Sequence, residues 1–486
     1  MAGGDTNRQR KFIDILDDDS LLTIFYHCRP DFSEEDGIDT GGVDSRIDIR
    51  VPGGKWERER WWYKPTQVCR RWRHLILASP SYLGLSLVCV SGTPVADMLA
   101  HSPPFPLIID SLNLSSDIPA TNEEGTCLAL AHHDRARRIR LRMRVQQLMR
   151  IIAAIDGSFP LLEHLYICPL TPPDTNWPLP STLRAPRLRH LVLHNIAFPI
   201  GSPLLAGLVT LSLEYINPFA NFSPNELLQQ LSLIPHLETF NISFYPPLSN
   251  EDIEIQLFQM PLPTHVTLPA LRWFGFEGPS SYMATVLPWI TMPLLEVIEV
   301  VSTTSNPLTS SIIFFLQSMS ETENPGLCSV KVTFYNVHII ITMYPHKRTD
   351  VSTLRLRLLC SHPALGLAST VEVFDLIKAV FTDAESLTLE DKTSSEFLKD
   401  FAIRTESRWR ELLKSFNKVQ TLYVSGGNLI EGLSRSLRPR NRESAIELLP
   451  MLRVLSCPKG SHVGKSCRSF IASRRKTGYP VTISHH

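Results

Sequence analysis

The sequence predicts an α/β protein in which a small all-helical N-terminal domain precedes an irregular solenoid. Two amphipathic helical patterns occur before residue 80, a short apolar motif recurs from residue 136 onwards, and the 486 residues include 37 prolines but only 23 glycines. Many prolines with few glycines indicate short elements joined by stiff corners. The predicted parts are a helical domain at 12–80, a connecting segment at 81–135, the solenoid at 136–460 and a basic tail at 461–486.

The first helical pattern follows residue 12. Asp17, Asp18 and Asp19 are N-cap candidates and place negative charge at the start of a helix, where the helix dipole favours it. An apolar stripe then follows on one helical face, made by Leu21, Leu22, Ile24 and Phe25. Residues 31–60 are rich in Asp, Glu, Gly and Arg and are predicted to form a solvated loop.

The second helical pattern runs from residue 66 to 78 and ends at Ser79 and Pro80. Its apolar positions have helical spacing and are flanked by arginines; they are Val68, Trp72, Leu75 and Ile76. A helical unit of about 50 residues is too small to hide two apolar stripes internally. We therefore expect the repeat region or another protein to cover the surplus apolar surface.

These two helices carry a family resemblance. Residues 62–74 have the sequence Trp-Tyr-Lys-Pro-Thr-Gln-Val-Cys-Arg-Arg-Trp-Arg-His, and Ser79 and Pro80 follow. Together with the acidic, leucine-rich first helix, this pattern resembles an F-box domain over residues 12–80. Segments 87–95 and 103–110 are similar to the large F-box families of mushroom-forming fungi, the basidiomycetes.

The resemblance implies that the helical domain docks on the Skp-type adaptor of a cullin–RING ubiquitin ligase. The adaptor-binding residues that it implies are Leu16, Leu21, Ile24, Phe25, Pro65, Val68, Cys69 and Trp72. The family usually has proline where this chain has Asp17 and leucine where it has Pro65. These departures motivate an alternative, in which the chain is a leucine-rich-repeat interaction scaffold that does not engage a ubiquitin ligase.

The recurring motif is apolar-x-x-apolar-x-apolar, often after a proline. Its twelve copies start at residues 136, 162, 188, 208, 237, 271, 295, 327, 351, 384, 419 and 452. The mean spacing of about 29 residues lies at the upper end of the leucine-rich-repeat range and predicts an irregular leucine-rich-repeat solenoid. Helices are predicted between strands at 224–231, where proline opens the first turn, and at 370–380.

Alternation along each predicted strand separates a buried face from a concave, polar face. The concave residues that we expect to bind a target protein are His190, His194, Asn241, Trp273, Glu277 and Tyr423. An exposed aromatic such as Trp273 is a typical interface hot spot. Packing beneath a loop is an equally available role for any single one of these side chains.

The sequence offers no catalytic or metal-binding motif, so we expect no enzyme activity and no cofactor. His190 and His194 are four residues apart, but they lie in a predicted strand without an adjacent acidic residue. Cys69 is expected to be a buried thiol rather than a nucleophile. The basic run at 474–476 is expected to be a solvated tail.

Composition restricts the remaining classes of function. Forty-eight basic residues balance 48 acidic ones, which gives no overall attraction to nucleic acid or to an anionic membrane. The nine cysteines include no CxxC pair, which argues against a disulfide framework or a zinc site. The first residues show no apolar signal region, so we expect an intracellular protein, cytoplasmic or nuclear, with a protein partner.

Overall fold

The fold is described here from a computed structural model. The described residues are 16–30, 60–90, 93–112, 123–170, 177–197, 201–216, 223–244, 265–278, 280–302, 327–335, 338–345, 354–359, 384–392, 409–410, 413–414, 416–426, 433–437, 448–458 and 467–485. They fall into two compact units, residues 1–191 and 192–486. All of the predicted loop at 31–60 except residue 60, and the whole predicted helix at 370–380, lie outside the described residues.

The first unit begins with short helices. Their bounds are α1 Asp18–His27, α2 Tyr63–Thr66, α3 Arg70–Ala78 and α4 Pro80–Leu83. Asp17 is the N-cap of α1, as predicted, because its Oδ1 accepts a hydrogen bond from the Ser20 N–H at 2.7 Å. The helix α3 begins four residues later than the sequence pattern indicated, at the Cys69 N-cap.

Parallel strands follow in the same unit. Their bounds are β1 Leu87–Val90, β2 Leu107–Leu112, β3 Ala136–Met143, β4 His164–Pro169 and β5 Trp177–Pro178, with helices α5 Val95–His101, α6 Glu123–Ala131 and α7 Val145–Ala154 between them. The strands pair in the order β1-β2-β3-β4, each parallel to the next. The unit boundary falls within β6, His190–His194.

The second unit is built mainly of parallel strands. Its further elements are β7 Ile196–Ala197, β8 Thr210–Ile216, α8 Pro224–Ser232, β9 Thr239–Phe244, β10 Val266–Thr267, β11 Trp273–Gly278, α9 Ser280–Val286, a 3₁₀ turn Leu287–Trp289, β12 Ile290–Thr291, β13 Val297–Ser302, β14 Leu327–Phe334, β15 His338–Pro345, β16 Leu354–Leu359, β17 Ser386–Asp391, β18 Thr421–Ser425, β19 Val454–Cys457, α10 Arg468–Lys476 and β20 Thr482–His485. Strand β15 is antiparallel to both of its neighbours, β14 and β16. The strands on either side of this antiparallel insertion continue the parallel pairing.

Local sequence signals explain where these elements form. In β6 the burial alternates, with Leu191 and Leu193 fully buried between half-buried neighbours. The helix α8 opens with proline behind a capping box, in which Ser223 and Glu226 each satisfy the other's backbone N–H. The last two apolar positions of all twelve sequence motifs lie in strands of the structure, as predicted.

The predicted fold class is nevertheless wrong. The protein is α/β with a large, mostly parallel sheet and few helices, and the described residues form neither a separate helical F-box domain nor a leucine-rich-repeat solenoid. The helices α1–α4 share one compact unit with strands β1–β4, and the antiparallel strand β15 breaks the strand order. The motif misled because any strand with one buried face and one open face shows the same alternation, whatever fold the strand belongs to.

Candidate functional site

The helices α1 and α3 pack together through one aromatic and one ionic contact. The rings of Phe25 and Trp72 meet edge to face, with centroids 4.9 Å apart and an interplanar angle of 72°. Arg71 donates to Asp18 at 2.7 Å and to the Leu16 carbonyl at 2.6 Å. Because both ionic side chains are well exposed, the aromatic contact is the more important of the two for holding the pair together.

The predicted adaptor-binding residues fall into three groups by their exposure to solvent. Leu21 and Phe25 are buried, and Leu16, Pro65 and Trp72 are half-buried. The side chains of Ile24, Val68 and Cys69 are exposed. Leu21, Phe25 and Trp72 are therefore shielded from solvent wholly or in part, and Ile24 and Val68 present aliphatic groups to solvent, with 44% and 62% of each residue exposed.

The expectation of a buried Cys69 thiol is wrong. The residue is exposed because it caps α3, and its Sγ accepts a weak hydrogen bond from the Trp72 N–H at 3.5 Å. Two further exposed aromatics, Tyr26 and Tyr82, pack against each other with ring centroids 5.3 Å apart. We did not select them from the sequence, although Tyr26 directly follows the apolar stripe of α1.

In the second unit, the polar sheet face carries a hydrogen-bonded network across β6, β8 and β9. His194 Nδ1 lies 3.0 Å from Glu214 Oε2, and the Ser212 hydroxyl donates to Glu214 Oε1 at 3.0 Å. Asn241 Nδ2 donates to the Ser212 oxygen at 3.2 Å. The sequence interpretation failed to find the acidic neighbour of His194 because Glu214 is twenty positions away and is brought close only by the parallel pairing of the strands.

Trp273 and Glu277 extend this face along β11. The Ser243 hydroxyl donates to Glu277 Oε2 at 2.9 Å, which holds the carboxylate across the β9–β11 pair. The Trp273 ring lies over Gly275, beside the Asn241 amide, and fills the space that a Gly275 side chain would otherwise occupy. Trp273 is therefore a half-buried, ordered aromatic, positioned by a glycine that the sequence analysis did not consider.

We expect Gly275→Ala to displace the Trp273 ring while leaving the fold in place. The added methyl group would overlap the ring and Asn241 Oδ1, both of which are ends of movable side chains. A loss of about 1–2 kcal/mol in the free energy of unfolding is expected, within the range for overpacking. Urea denaturation of the variant and of the unaltered protein measures this loss.

The control for this substitution is a double-mutant cycle with Trp273→Ala. Most of the cost of Gly275→Ala should disappear when the ring is absent. An unchanged cost in the Trp273→Ala background would show that the ring does not depend on Gly275.

Tyr423 lines a cavity of about 260 Å³ on the face formed by β14, β17 and β18. Glu390 lies in its wall, 2.8 Å from Lys331 Nζ and 3.6 Å from Lys392 Nζ. Burial alone would raise the pKa of Glu390, but hydrogen bonding and charge from Lys331 outweigh it, so the pKa is lowered and the group is a carboxylate. The exposed Tyr423 thus stands beside a fixed ion pair.

His190 belongs to the first unit and stacks flat on His164. Their ring centroids are 4.2 Å apart, and the planes are within 4° of parallel. Burial, followed by the positive charge of Arg138, lowers the pKa of His164 to about 2. His164 is therefore neutral at physiological pH.

The candidate residues on the sheet are polar or aromatic side chains. Among the described residues, no group of three or more His, Cys, Asp or Glu side chains could hold a metal ion. Within the same part of the chain, no helix has the length and hydrophobicity needed to cross a bilayer. The hydrogen-bonded side chains of β6, β8 and β9 lie beside the half-buried Trp273 of β11, whereas the exposed Tyr423 lies on β18, which five strands separate from β11. Hydrogen-bonded polar groups and accessible aromatic side chains are features of protein interfaces.

Comparison with known proteins does not assign the chain to a family. No protein-family model matches the sequence, and no curated protein matches it.

Proposed function

We propose that the chain is the target-recognition subunit of a ubiquitin ligase of the Skp–cullin–F-box type. In this proposal the helical segment 16–30 and 60–83 binds a Skp-type adaptor. The polar sheet face of the second unit, with His194, Asn241, Trp273, Glu277 and Tyr423, binds the target protein. The protein acts inside the cell, in the cytoplasm or the nucleus, and performs no chemistry itself. It raises the local concentration of a target lysine near an activated thioester on another subunit.

The observation that carries the proposal is the exposure of Ile24 and Val68. Both are aliphatic, both are well exposed, and both flank the Phe25–Trp72 contact in sequence. Large exposed aliphatic groups are suited to bury surface in a partner, at roughly 25 cal/mol per Å². The sequence around Val68 is also the segment that resembles the F-box.

A negative charge introduced at these positions should strongly weaken adaptor binding without unfolding the protein. We expect Ile24→Asp and Val68→Asp each to weaken binding by about 2 kcal/mol or more, roughly thirtyfold, because each places a carboxylate in an apolar interface. Co-purification and titration calorimetry with a Skp-type adaptor measure this effect. Trp72→Ala is a poorer probe, since loss of the contact with Phe25 would also loosen the helix pair.

Met149→Asp is the matched control, because Met149 is 50% exposed on α7 in the same unit. It should leave adaptor binding unchanged. If the unaltered protein fails to bind the adaptor, or if Val68→Asp and Met149→Asp bind it equally well, the adaptor assignment is wrong. The alternative of an interaction scaffold outside any ubiquitin ligase would then be favoured.

A further inference from the structure

The cavity beside Tyr423 lies within the second unit, on the polar face of the sheet across β14, β17 and β18. Strand pairing aligns Lys331, Thr388 and Tyr423 in one row, and Glu390 with Ser425 in the next. The short side chain of Thr388 lies between two long ones, which accounts for a hollow of about 260 Å³. We call this hollow the Lys331 cavity. Its volume is enough for one side chain of a partner molecule.

The charged groups around the Lys331 cavity do not cancel. Glu390 Oε2 lies 2.8 Å from Lys331 Nζ, and Glu390 Oε1 lies 3.6 Å from Lys392 Nζ. In the part of the chain that the structure describes, neither lysine forms a second ion pair. Asp391, the next residue of β17, alternates to the opposite face of the strand. Two ammonium groups therefore share one carboxylate, and one positive charge is left without a counter-ion.

The wall of the cavity also carries the groups that hold an anion in place. An ammonium group has three donors, so Lys331 can donate to a ligand while it keeps its contact with Glu390. Thr388 and Ser425 add hydroxyl groups, and hydrogen bonds to a charged acceptor are stronger than those between neutral groups. The exposed ring of Tyr423 borders the same space and can cover methylene groups. This combination suits a carboxylate on a short aliphatic stem.

We propose that the Lys331 cavity binds a glutamate side chain of a partner protein, whose carboxylate accepts hydrogen bonds from Lys331 and from the hydroxyls of Thr388 and Ser425. The proposal rests on the proposed function in one respect, namely that the partner is the target protein. It assigns a chemical class to the group that the target presents at Tyr423.

The Glu390 carboxylate limits the charge of the ligand. A phosphorylated side chain carries a charge of about −1.5 to −2 at pH 7, more than the one uncompensated positive charge can balance, and the excess would repel Glu390. A cationic side chain is a poorer match, because Glu390 already contacts two ammonium groups and accepts a hydrogen bond from the Thr333 hydroxyl at 3.2 Å. A singly charged carboxylate meets both limits.

Two peptides that differ at one residue provide the test. Their sequences are Ser-Thr-Glu-Thr-Ser and Ser-Thr-Gln-Thr-Ser, with blocked termini, so that the glutamate carboxylate is the one charge that distinguishes them. Ligand-observed NMR with the purified full chain suits the weak binding of a single side chain. The glutamate peptide should bind at least about fivefold more tightly than the glutamine peptide. Propionate, which supplies the carboxylate without a peptide, should bind at least about fivefold more weakly than the glutamate peptide.

Lys331→Met should remove the preference for the glutamate peptide, because methionine keeps much of the side-chain volume but donates no hydrogen bond. The matched control is Lys476→Met, at an exposed lysine of α10 in the same unit. It should retain the preference. Loss of the preference in both variants would show that the peptide responds to the overall charge of the protein and not to the cavity.

Glu390→Gln should change the affinity in the opposite direction. Glutamine keeps the shape of the side chain and removes its charge, so both lysines become available to the ligand. The glutamate peptide should then bind about threefold more tightly. Weaker binding would overturn the proposal, because Glu390 would then be the group that recognises the ligand. If this variant does not fold, the comparison of the two peptides on the unaltered protein still decides the question.

Equal binding of the glutamate and glutamine peptides, or binding of neither, would overturn the proposal. Tighter binding of a phosphoserine or lysine peptide of the same length would also overturn it, because the ligand would belong to another class. Propionate binding as tightly as the glutamate peptide would indicate a small carboxylic acid instead of a protein. The adaptor experiment alters residues of the first unit, so a failure of one proposal is distinguishable from a failure of the other.

Discussion

Leu422→Asp in β18 should lower the free energy of unfolding by about 3–5 kcal/mol, or prevent folding. Leu422 is fully buried and pairs with Leu387 on one side and Leu455 on the other, both also fully buried. A carboxylate at this position would have no hydrogen-bond donor or cation beside it among these leucines and no access to water. Urea denaturation followed by circular dichroism measures the change.

Tyr423→Asp, one position further along β18, is the paired control. Tyr423 is 40% exposed on the opposite face of the strand, where a carboxylate remains solvated. We expect its effect to stay within about 1 kcal/mol. Similar losses for the two variants would show that the strand does not separate a buried face from an open one.

The contrast between buried and exposed positions along a strand is the structural feature that the sequence predicts best. Alternating burial was predictable for β6, where His190, Val192 and His194 stand opposite Leu191 and Leu193. It fails in β8, where Thr210 and Ser212 are buried along with the leucines. Ser212 is buried because it bonds both Glu214 and Asn241, and a hydroxyl with two partners can leave water at little cost.

The fold class could not be deduced from the alternation of apolar residues. A motif of apolar residues records which side of a strand is buried, but not what the strand pairs with. The antiparallel strand β15 is an example, because no copy of the motif marks it, although it follows β14 and precedes β16 in the chain. The helices near the amino terminus were located from the sequence, whereas their inclusion in one unit with β1–β4 depends on tertiary packing.

The candidate sites contain some residues that the sequence predicts and others that only the structure shows. Side-chain type and alternation were sufficient to select Asn241, Trp273 and Tyr423 as residues of the polar face. Their partners lie on other strands, so Glu214, Gly275 and Glu390 became recognisable only once the pairing was known. Buried arginine is not predictable in the same way, since a charged residue is ordinarily expected to be solvated.

The basic run near the carboxyl end illustrates this last point and leads to a second large effect. Residues 474–476 were predicted to be a solvated tail, and for Arg474 that is wrong: the residue lies in α10 and is fully buried. Its Nη2 donates to the carbonyls of Pro450 and Leu452 at 3.1 and 3.0 Å. The guanidinium also lies near the rings of Phe470 and Tyr479, with centroids 6.0 and 5.7 Å away.

Arg474→Ala should therefore lower the free energy of unfolding by about 2–4 kcal/mol, from two lost charge-assisted hydrogen bonds and the cavity left behind. Arg475→Ala, at an exposed neighbour, should change it by less than about 0.5 kcal/mol. Arg474→Met separates the two causes, since it fills much of the volume but donates nothing. Nε and Nη1 of Arg474 are buried without hydrogen-bond partners, so the methionine also removes a desolvation cost and should be less harmful than alanine. Thermal melts of the three variants rank their losses of stability. Equal losses for Arg474→Ala and Arg475→Ala would show that Arg474 is solvated, as the sequence predicted.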